Sequence, residues 1–198
     1  MAFNLNLMSK GEVFFISDTH FCHNKDFLYG SRGFSSIAEH DEKLVARWNS
    51  VVQSNDIVIH LGDLCLNDNI KAIDYIQQLN GLIYWIRGNH DTDNRVTEIL
   101  NNCRNVIMFP DAPYAQIFKY NKYKFYCSHY PTISAYLDDE QFSQHLINLH
   151  GHIHTTDKWF ISDNPFVYNV CVDAHNLAPI NLQTVITDIK QRWEYLTQ

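Results

Sequence analysis

In the first half of this chain, three short apolar runs each stop at a cluster of chemistry-bearing side chains, and helical periodicity follows each one. The runs span 12–17, 56–61 and 82–86, and they end at Asp18-Thr19-His20, Gly62-Asp63 and Gly88-Asn89-His90-Asp91. Brief β-branched and aromatic runs of this length read as buried strands. A helix is expected from Ser36, which forms a Ser-x-x-Glu capping box with Glu39, and Ile37, Leu44, Val45, Trp48 and Val52 line its buried face. A second helix is expected with Asn67 or Asp68 as N-cap, an apolar stripe of Ile70, Ile73, Ile76 and Leu79, and a stop at Asn80-Gly81. A third carries Val96, Ile99, Leu100 and Cys103. Strand and helix in strict alternation imply a parallel α/β sheet, and such sheets build their ligand sites at the carboxyl ends of the strands.

The second half changes character. Strands are expected over 106–109, 114–120, 123–128, 146–149, 166–173 and 184–189, with a tight turn at Asn121-Lys122 and partly helical character over 133–142. No linker or internal repeat appears, so a single domain over 1–198 is expected, its halves supplying two sheets packed face to face with helices outside. A chain of 198 residues, 45% hydrophobic, is long enough to bury one substantial core. No 18-residue apolar stretch is present, and residues 1–11 lack the basic-then-apolar pattern of a secretion signal. The five cysteines are widely spaced without a Cys-x-x-Cys pair, which fits reduced thiols and a cytoplasmic setting. A net charge of −7 disfavours broad capture of nucleic-acid polymers. It leaves room for an anionic substrate, because bound divalent cations add positive charge at the site itself.

Two further clusters lie in the second half, His129 and Gly151-His152-Ile153-His154. Together the five clusters supply carboxylate, imidazole and carboxamide groups, the donors that hard-to-borderline divalent cations take. Asp18 and His20 alternate past a strand end and can grip one cation together. Asp63 follows a glycine at the end of the next strand, where its two oxygens could bridge two ions. Asn89 offers a neutral carbonyl oxygen, and His129, His152 and His154 offer imidazoles. Each cluster alone is weak: Asp-x-His is common, and Gly-Asn-His-Asp by itself is a turn sequence. Five of them in this order point to a shared site and to a metal-dependent hydrolase. Structural zinc is a poor alternative, since it favours closed Cys/His tetrahedra.

The pattern Asp-x-His, Gly-Asp, Gly-Asn-His-Asp, a later His and Gly-His-x-His resembles that of the calcineurin-like metallophosphoesterases, and it covers residues 18–154. The opening Asp18-Thr19-His20-Phe21-Cys22-His23 is most similar to small stand-alone bacterial and phage members, in which a glycine is usual where Cys22 stands. The resemblance implies a four-layer α/β/β/α sandwich of two mixed sheets flanked by helices, with two divalent ions, manganese first and zinc, iron, nickel or magnesium as alternatives. It implies one ion on Asp18, His20, Asp63 and His154, and the other on Asp63, Asn89, His129 and His152. It implies that His90 is a general acid or substrate contact and that Asp91 orients it. The expected chemistry is in-line attack on a phosphate ester by a metal-bridging hydroxide, with His90 assisting the leaving group. A phosphodiester of nucleotide type is the first expectation. A phosphomonoester, or a catalytically silent scaffold of the same fold, is the alternative. The partners implied are a small phosphate ester or nucleotide, or a nucleic-acid end, and no membrane.

Outside the five clusters, His23 and Arg32 are candidates for substrate binding, Arg32 through a two-pronged phosphate contact. His60 reads as a packed, hydrogen-bonded residue, His175 as a candidate approach from the C-terminal side, and His40 and His145 as exposed.

Overall fold

The fold is described from a computed structural model covering residues 2–8, 10–109, 113–132 and 145–198. The expected helix over 133–142 lies outside the described residues. Strands are β1 (Phe3–Asn4), β2 (Val13–Ile16), β3 (Ile57–His60), β4 (Leu82–Trp85), β5 (Val106–Met108), β6 (Ala115–Tyr120), β7 (Tyr123–Ser128), β8 (Leu146–His150), β9 (Val167–Asn169) and β10 (Ile180–Asn181). Helices are α1 (Leu5–Met8), α2 (Asp26–Tyr29), α3 (Ile37–Val51), α4 (Asn69–Ile76), α5 (Asp93–Asn102) and α6 (Leu182–Leu196).

The strands form two five-stranded mixed sheets, in the orders β10-β2-β3-β4-β5 and β1-β6-β7-β8-β9. In the first, β2 to β5 run parallel, as the strand–helix alternation requires. In the second, β6 and β7 form an antiparallel hairpin through Asn121 at φ 50°, and β7, β8 and β9 run parallel. One apolar cluster joins the inner faces of both sheets, with Phe15, Ile57 and Ile59 against Phe125, Ile147 and Leu149. A second lies between the outer face of the β2–β5 sheet and helices α3, α4 and α5, built on Trp48, Leu44, Ile76, Trp85 and Ile99. These clusters make two sheets flanked by helices.

Helix starts follow local chemistry. The Ser36 hydroxyl accepts from Glu39 N–H, while the Glu39 carboxylate reaches back to the Ser35 N–H and hydroxyl. Asp68 accepts from Lys71 N–H at the start of α4. The expected strand over 184–189 is instead part of α6. Thr184, Val185, Ile186 and Thr187 favour a strand locally, but Leu182, Val185, Ile186 and Ile189 are buried at helical spacing, and Asn181 caps the turn by accepting from Gln183 N–H. The expected run over 166–173 is strand only through Val167–Asn169, then a 3-10 turn over Val172–Ala174. His40 and His145 are buried, not exposed. His40 sits between Asp41 and Arg32, and His145 stacks on Phe166 at 3.9 Å. Among the described residues, no helix is long and apolar enough to cross a membrane.

Candidate metal centre

Parallel pairing directs the carboxyl ends of β2, β3 and β4 to one edge of their sheet, and those of β7 and β8 to one edge of theirs. Backbone bonds then draw the loops past those ends together. Asp18 N–H donates to Gly62 O, His20 N–H to Asp63 O, Gly151 N–H to His129 O, and Ser17 N–H to Val170 O. The loops turn through left-handed backbone at Asp18, His20, Cys22, Asp63, His152 and His154, with φ between 47° and 72°. This is a costly region for non-glycine residues, and its concentration at one locus is typical of functional sites. Cys22 at φ 63° occupies a conformation that suits glycine better. Gly62, at φ 97°, permits a close approach: an added Cβ there would collide with the backbone of Gly88.

Three imidazoles approach Asp63. Its Oδ2 lies 3.7 Å from His20 Nε2, 3.5 Å from His129 Nε2 and 3.9 Å from His90 Nε2. On one side, His20 Nε2 and His154 Nε2 are 3.1 Å apart, with Asp18 Oδ1 at 3.8 and 3.4 Å from them. On the other, Asn89 Oδ1 lies 2.8 Å from His129 Nε2 and 3.0 Å from His152 Nδ1. Metal-holding groups of compatible spacing are Asp18-His20-His154 and Asp18-Asp63-His129, with a third, His154-Cys171-Asp173, beside them.

The donors face inward because their outer atoms are taken. His129 Nδ1–H donates to Leu61 O at 2.9 Å, which leaves Nε2 as a lone pair directed into the site. His154 Nδ1 is 3.1 Å from Asp173 Oδ2, which does the same for its Nε2. Asp18 Oδ2 accepts from Ser17 Oγ and His152 N–H, while its buried Oδ1 has no hydrogen-bond partner. A buried carboxylate oxygen without a donor, facing imidazole lone pairs, fits a cation. Burial alone would raise the Asp18 carboxyl, but His154, His129 and His20 outweigh it and hold it well below the usual range. Burial would likewise lower His154, but Asp173 and Asp18 outweigh it and raise that imidazole to about 9. Asp18 is thus kept ionised among imidazoles, a charge that suits a cation. Burial raises Asp63.

Structure places two expected site residues differently. Arg32 turns its guanidinium to Asp173. Its side chain is 2% exposed, and its Nε and Nη2 grip both oxygens of Asp173 at 2.8 and 2.9 Å. Its remaining donors hold Asp18 O, Thr19 O and His40 Nε2. Asp91 does not contact the His90 ring. Its carboxylate, raised to about 6 by burial, accepts from Gly88, Asp63 and Leu64 N–H and from the Trp85 indole. It orients the whole Gly88–Asp91 loop against Asp63, and only through that loop the His90 ring. His90 N–H donates to Asp63 Oδ1, and its imidazole is 45% exposed at the mouth of the cleft. His23 sits at the rim, its ring 5.2 Å from that of His20 and 6.3 Å from that of His90. His175 is turned away, with Nε2 on Asn169 O. Asp173 is the residue that sequence reading missed. Its signal was available: an acidic residue just past an apolar run, placed like Asp18 and Asp63.

His60 lies behind these loops. Gly62 N–H donates to its Nδ1, so the neutral ring carries its proton on Nε2 and donates to Thr19 Oγ1, whose hydroxyl donates to Leu64 O. Burial lowers His60 to about 3, and His150 to about 4. An unfolded chain takes up these protons below about 6.5, so stability carried by the neutral rings is present above that pH and lost as pH falls towards 3. Asp91, raised to about 6, offsets part of this between 3.8 and 6. His154 works on the alkaline side: the stability from its raised value is complete below 6.5 and lost as pH rises towards 9. Urea midpoints of metal-free protein across pH 4–9 should therefore peak near pH 6.5. A curve that rises monotonically into acid or alkali would contradict the assignment.

Comparison with known proteins shows the family. The model of the calcineurin-like phosphoesterases matches residues 12–190. The chain belongs to that family. A protein of Methanocaldococcus jannaschii is 34% identical over 187 residues, covering 93% of this chain and 94% of its own length. The gene 66 protein of Mycobacterium phage D29 is 25% identical, covering 90% and 98%. A solved structure of an Aquifex aeolicus protein of unknown function superposes with a TM-score of 0.65 at 19% identity, covering 89% of this chain and 98% of that one, a likeness of fold. Calcineurin-like phosphoesterases normally bind divalent metals and act on phosphate esters, and Asp18, His20, Asp63 and His129 are candidate ligands here.

Proposed function

We propose that this phosphoesterase is a dinuclear metal-dependent phosphodiesterase. One ion would sit on Asp18, His20, Asp63 and His154, and the other on Asp63, Asn89, His129 and His152. The observation that carries this reading is the central place of Asp63 Oδ2, which lies 3.7 Å from one set of imidazole nitrogens and 3.5 Å from the other. When bound, such ions acidify water and offset charge on phosphoryl oxygens. The chain's own part is orientation. Leu61 O and Asp173 fix which nitrogens of His129 and His154 face inward, and exposed His90 is placed to give a proton to the leaving oxygen.

Charge favours a diester over a monoester. Among the described residues, the arginines that touch site residues are committed elsewhere: Arg32 to Asp173, Arg87 to Asp91 O and Asp93, Arg95 to His90 O and Asn69. A monoester dianion gains more from an added guanidinium fork than a diester monoanion does, and here no fork is free. Manganese-loaded protein should hydrolyse bis-p-nitrophenyl phosphate at least tenfold faster, in kcat/KM, than p-nitrophenyl phosphate. The reverse order would overturn the diester reading, and inactivity on both with every tested metal would favour a silent scaffold.

Asp173→Asn should weaken binding of the ion next to His154. Losing the carboxylate behind a metal-binding histidine typically costs 10–100-fold in affinity. Calorimetric titration of the folded variant with Mn²⁺ should show one weakened site and one unchanged. Two unchanged sites would remove Asp173 from this role.

A further inference from the structure

Two exposed aromatic rings flank the metal centre at opposite ends. Phe27, 72% exposed on α2, meets the His23 ring edge-on at 5.7 Å, and His23 in turn lies against His20 and His90. Tyr130, 52% exposed just past β7, meets the His152 ring at 4.6 Å and the His129 ring at 5.3 Å. One ring thus extends the end of the cleft that holds His20. The other extends the end that holds His129 and His152. Scattered exposed apolar residues are ordinary on any surface. These two differ in that each continues a row of site imidazoles outward, in T-shaped contacts, while the side chain stays largely exposed to solvent. Exposed aromatic rings are where flat heterocycles stack.

Building on the diesterase reading above, we infer that Phe27 and Tyr130 are stacking platforms for nucleobases on either side of the scissile phosphate, so that the substrate is a phosphodiester joining two nucleosides. A diester has two ester arms. With the phosphate over Asp63, one arm passes His90 and His23 towards Phe27, and the other passes His152 towards Tyr130. Stacking is tolerant of base identity, because every base presents a π-face, and it contributes about 1–3 kcal/mol per base. That corresponds to roughly 5- to 150-fold in affinity for each platform. The engagement of Arg32, Arg87 and Arg95 by other partners agrees with recognition by rings in place of an added guanidinium. A net charge of −7 further favours a dinucleotide or short end over a long polymer.

The test compares a deoxyadenosine dinucleotide with its counterpart lacking both bases, on manganese-loaded protein, with bis-p-nitrophenyl phosphate as a separate diester control. The dinucleotide should be preferred over the abasic diester at least tenfold in kcat/KM, mainly through KM. Phe27→Ala and Tyr130→Ala should each lower that preference 5-fold or more, and Phe27→Trp should retain it. With Ca²⁺ in place of Mn²⁺, a 2-aminopurine dinucleotide should lose fluorescence on binding, as stacked 2-aminopurine does, and less so with either alanine variant. Equal turnover of the dinucleotide and abasic substrates, or variants that keep the full preference and quenching, would overturn the platforms while leaving the diesterase reading intact. Failure on the bis-p-nitrophenyl control as well would overturn both.

Discussion

Asp63→Ala is expected to release both ions and to reduce diester turnover by about 10⁴-fold or more, the scale of charge stabilisation that bound metals supply. Asp63 is the carboxylate whose oxygen faces both sets of imidazoles, 3.7 Å from His20 Nε2 and 3.5 Å from His129 Nε2. Its other oxygen accepts from His90 N–H and so ties the Gly88–Asp91 loop to the centre. Removing the side chain would therefore take away the proposed shared ligand and a loop anchor together. Asp63→Asn separates the two effects. A carboxamide oxygen keeps the bond to His90 N–H, so the loop should stay in place while ion affinity still falls. Metal content by mass spectrometry, together with kcat on bis-p-nitrophenyl phosphate, reads both variants. Full metal content in Asp63→Ala would show that the ions, if present, lie elsewhere.

His90→Ala should behave differently, with both ions retained and kcat reduced by 10²–10⁴-fold, the usual range for a lost general acid. The imidazole is 45% exposed and its Nε2 is 3.9 Å from Asp63 Oδ2, too far for a hydrogen bond to that carboxylate. Among the described residues no hydrogen bond ties the His90 ring to the protein, which leaves it free to meet substrate. The deficit should shrink with a leaving group that departs as a stable anion, such as p-nitrophenolate, and grow with an alkoxide. An equal deficit on both kinds of leaving group would argue for a phosphoryl contact, and unchanged turnover would remove His90 from catalysis.

Most of the candidate centre could be read from the chain because each contributor sits just past an apolar run, where strand periodicity breaks. Asp18, Asp63, Asn89, His129, His152 and His154 all follow that rule, and the parallel strands β2, β3 and β4 gather their ends at one edge. Arg32 was expected at the substrate because charge in a loop near a ligand pair suggests such a contact, and its pairing inside the protein was not foreseen. Its real partner, Asp173, is 141 residues away and enters through a short turn after β9. Sequence spacing carries no record of such a long-range pairing. Helix α6 was hidden by its β-branched residues, whose local preference for strand is overruled by burial of Leu182, Val185, Ile186 and Ile189 along one face. The buried setting of His40 and His145 was equally invisible, since a polar ring declares its environment only once its neighbours are placed.

Crystals grown in excess Mn²⁺ and measured at the manganese absorption edge test the central claim most directly. Two anomalous peaks about 3.5–4 Å apart are predicted, one beside Asp18, His20 and His154, the other beside Asn89, His129 and His152, with Asp63 between them. A single peak, or none within reach of Asp63, would contradict it.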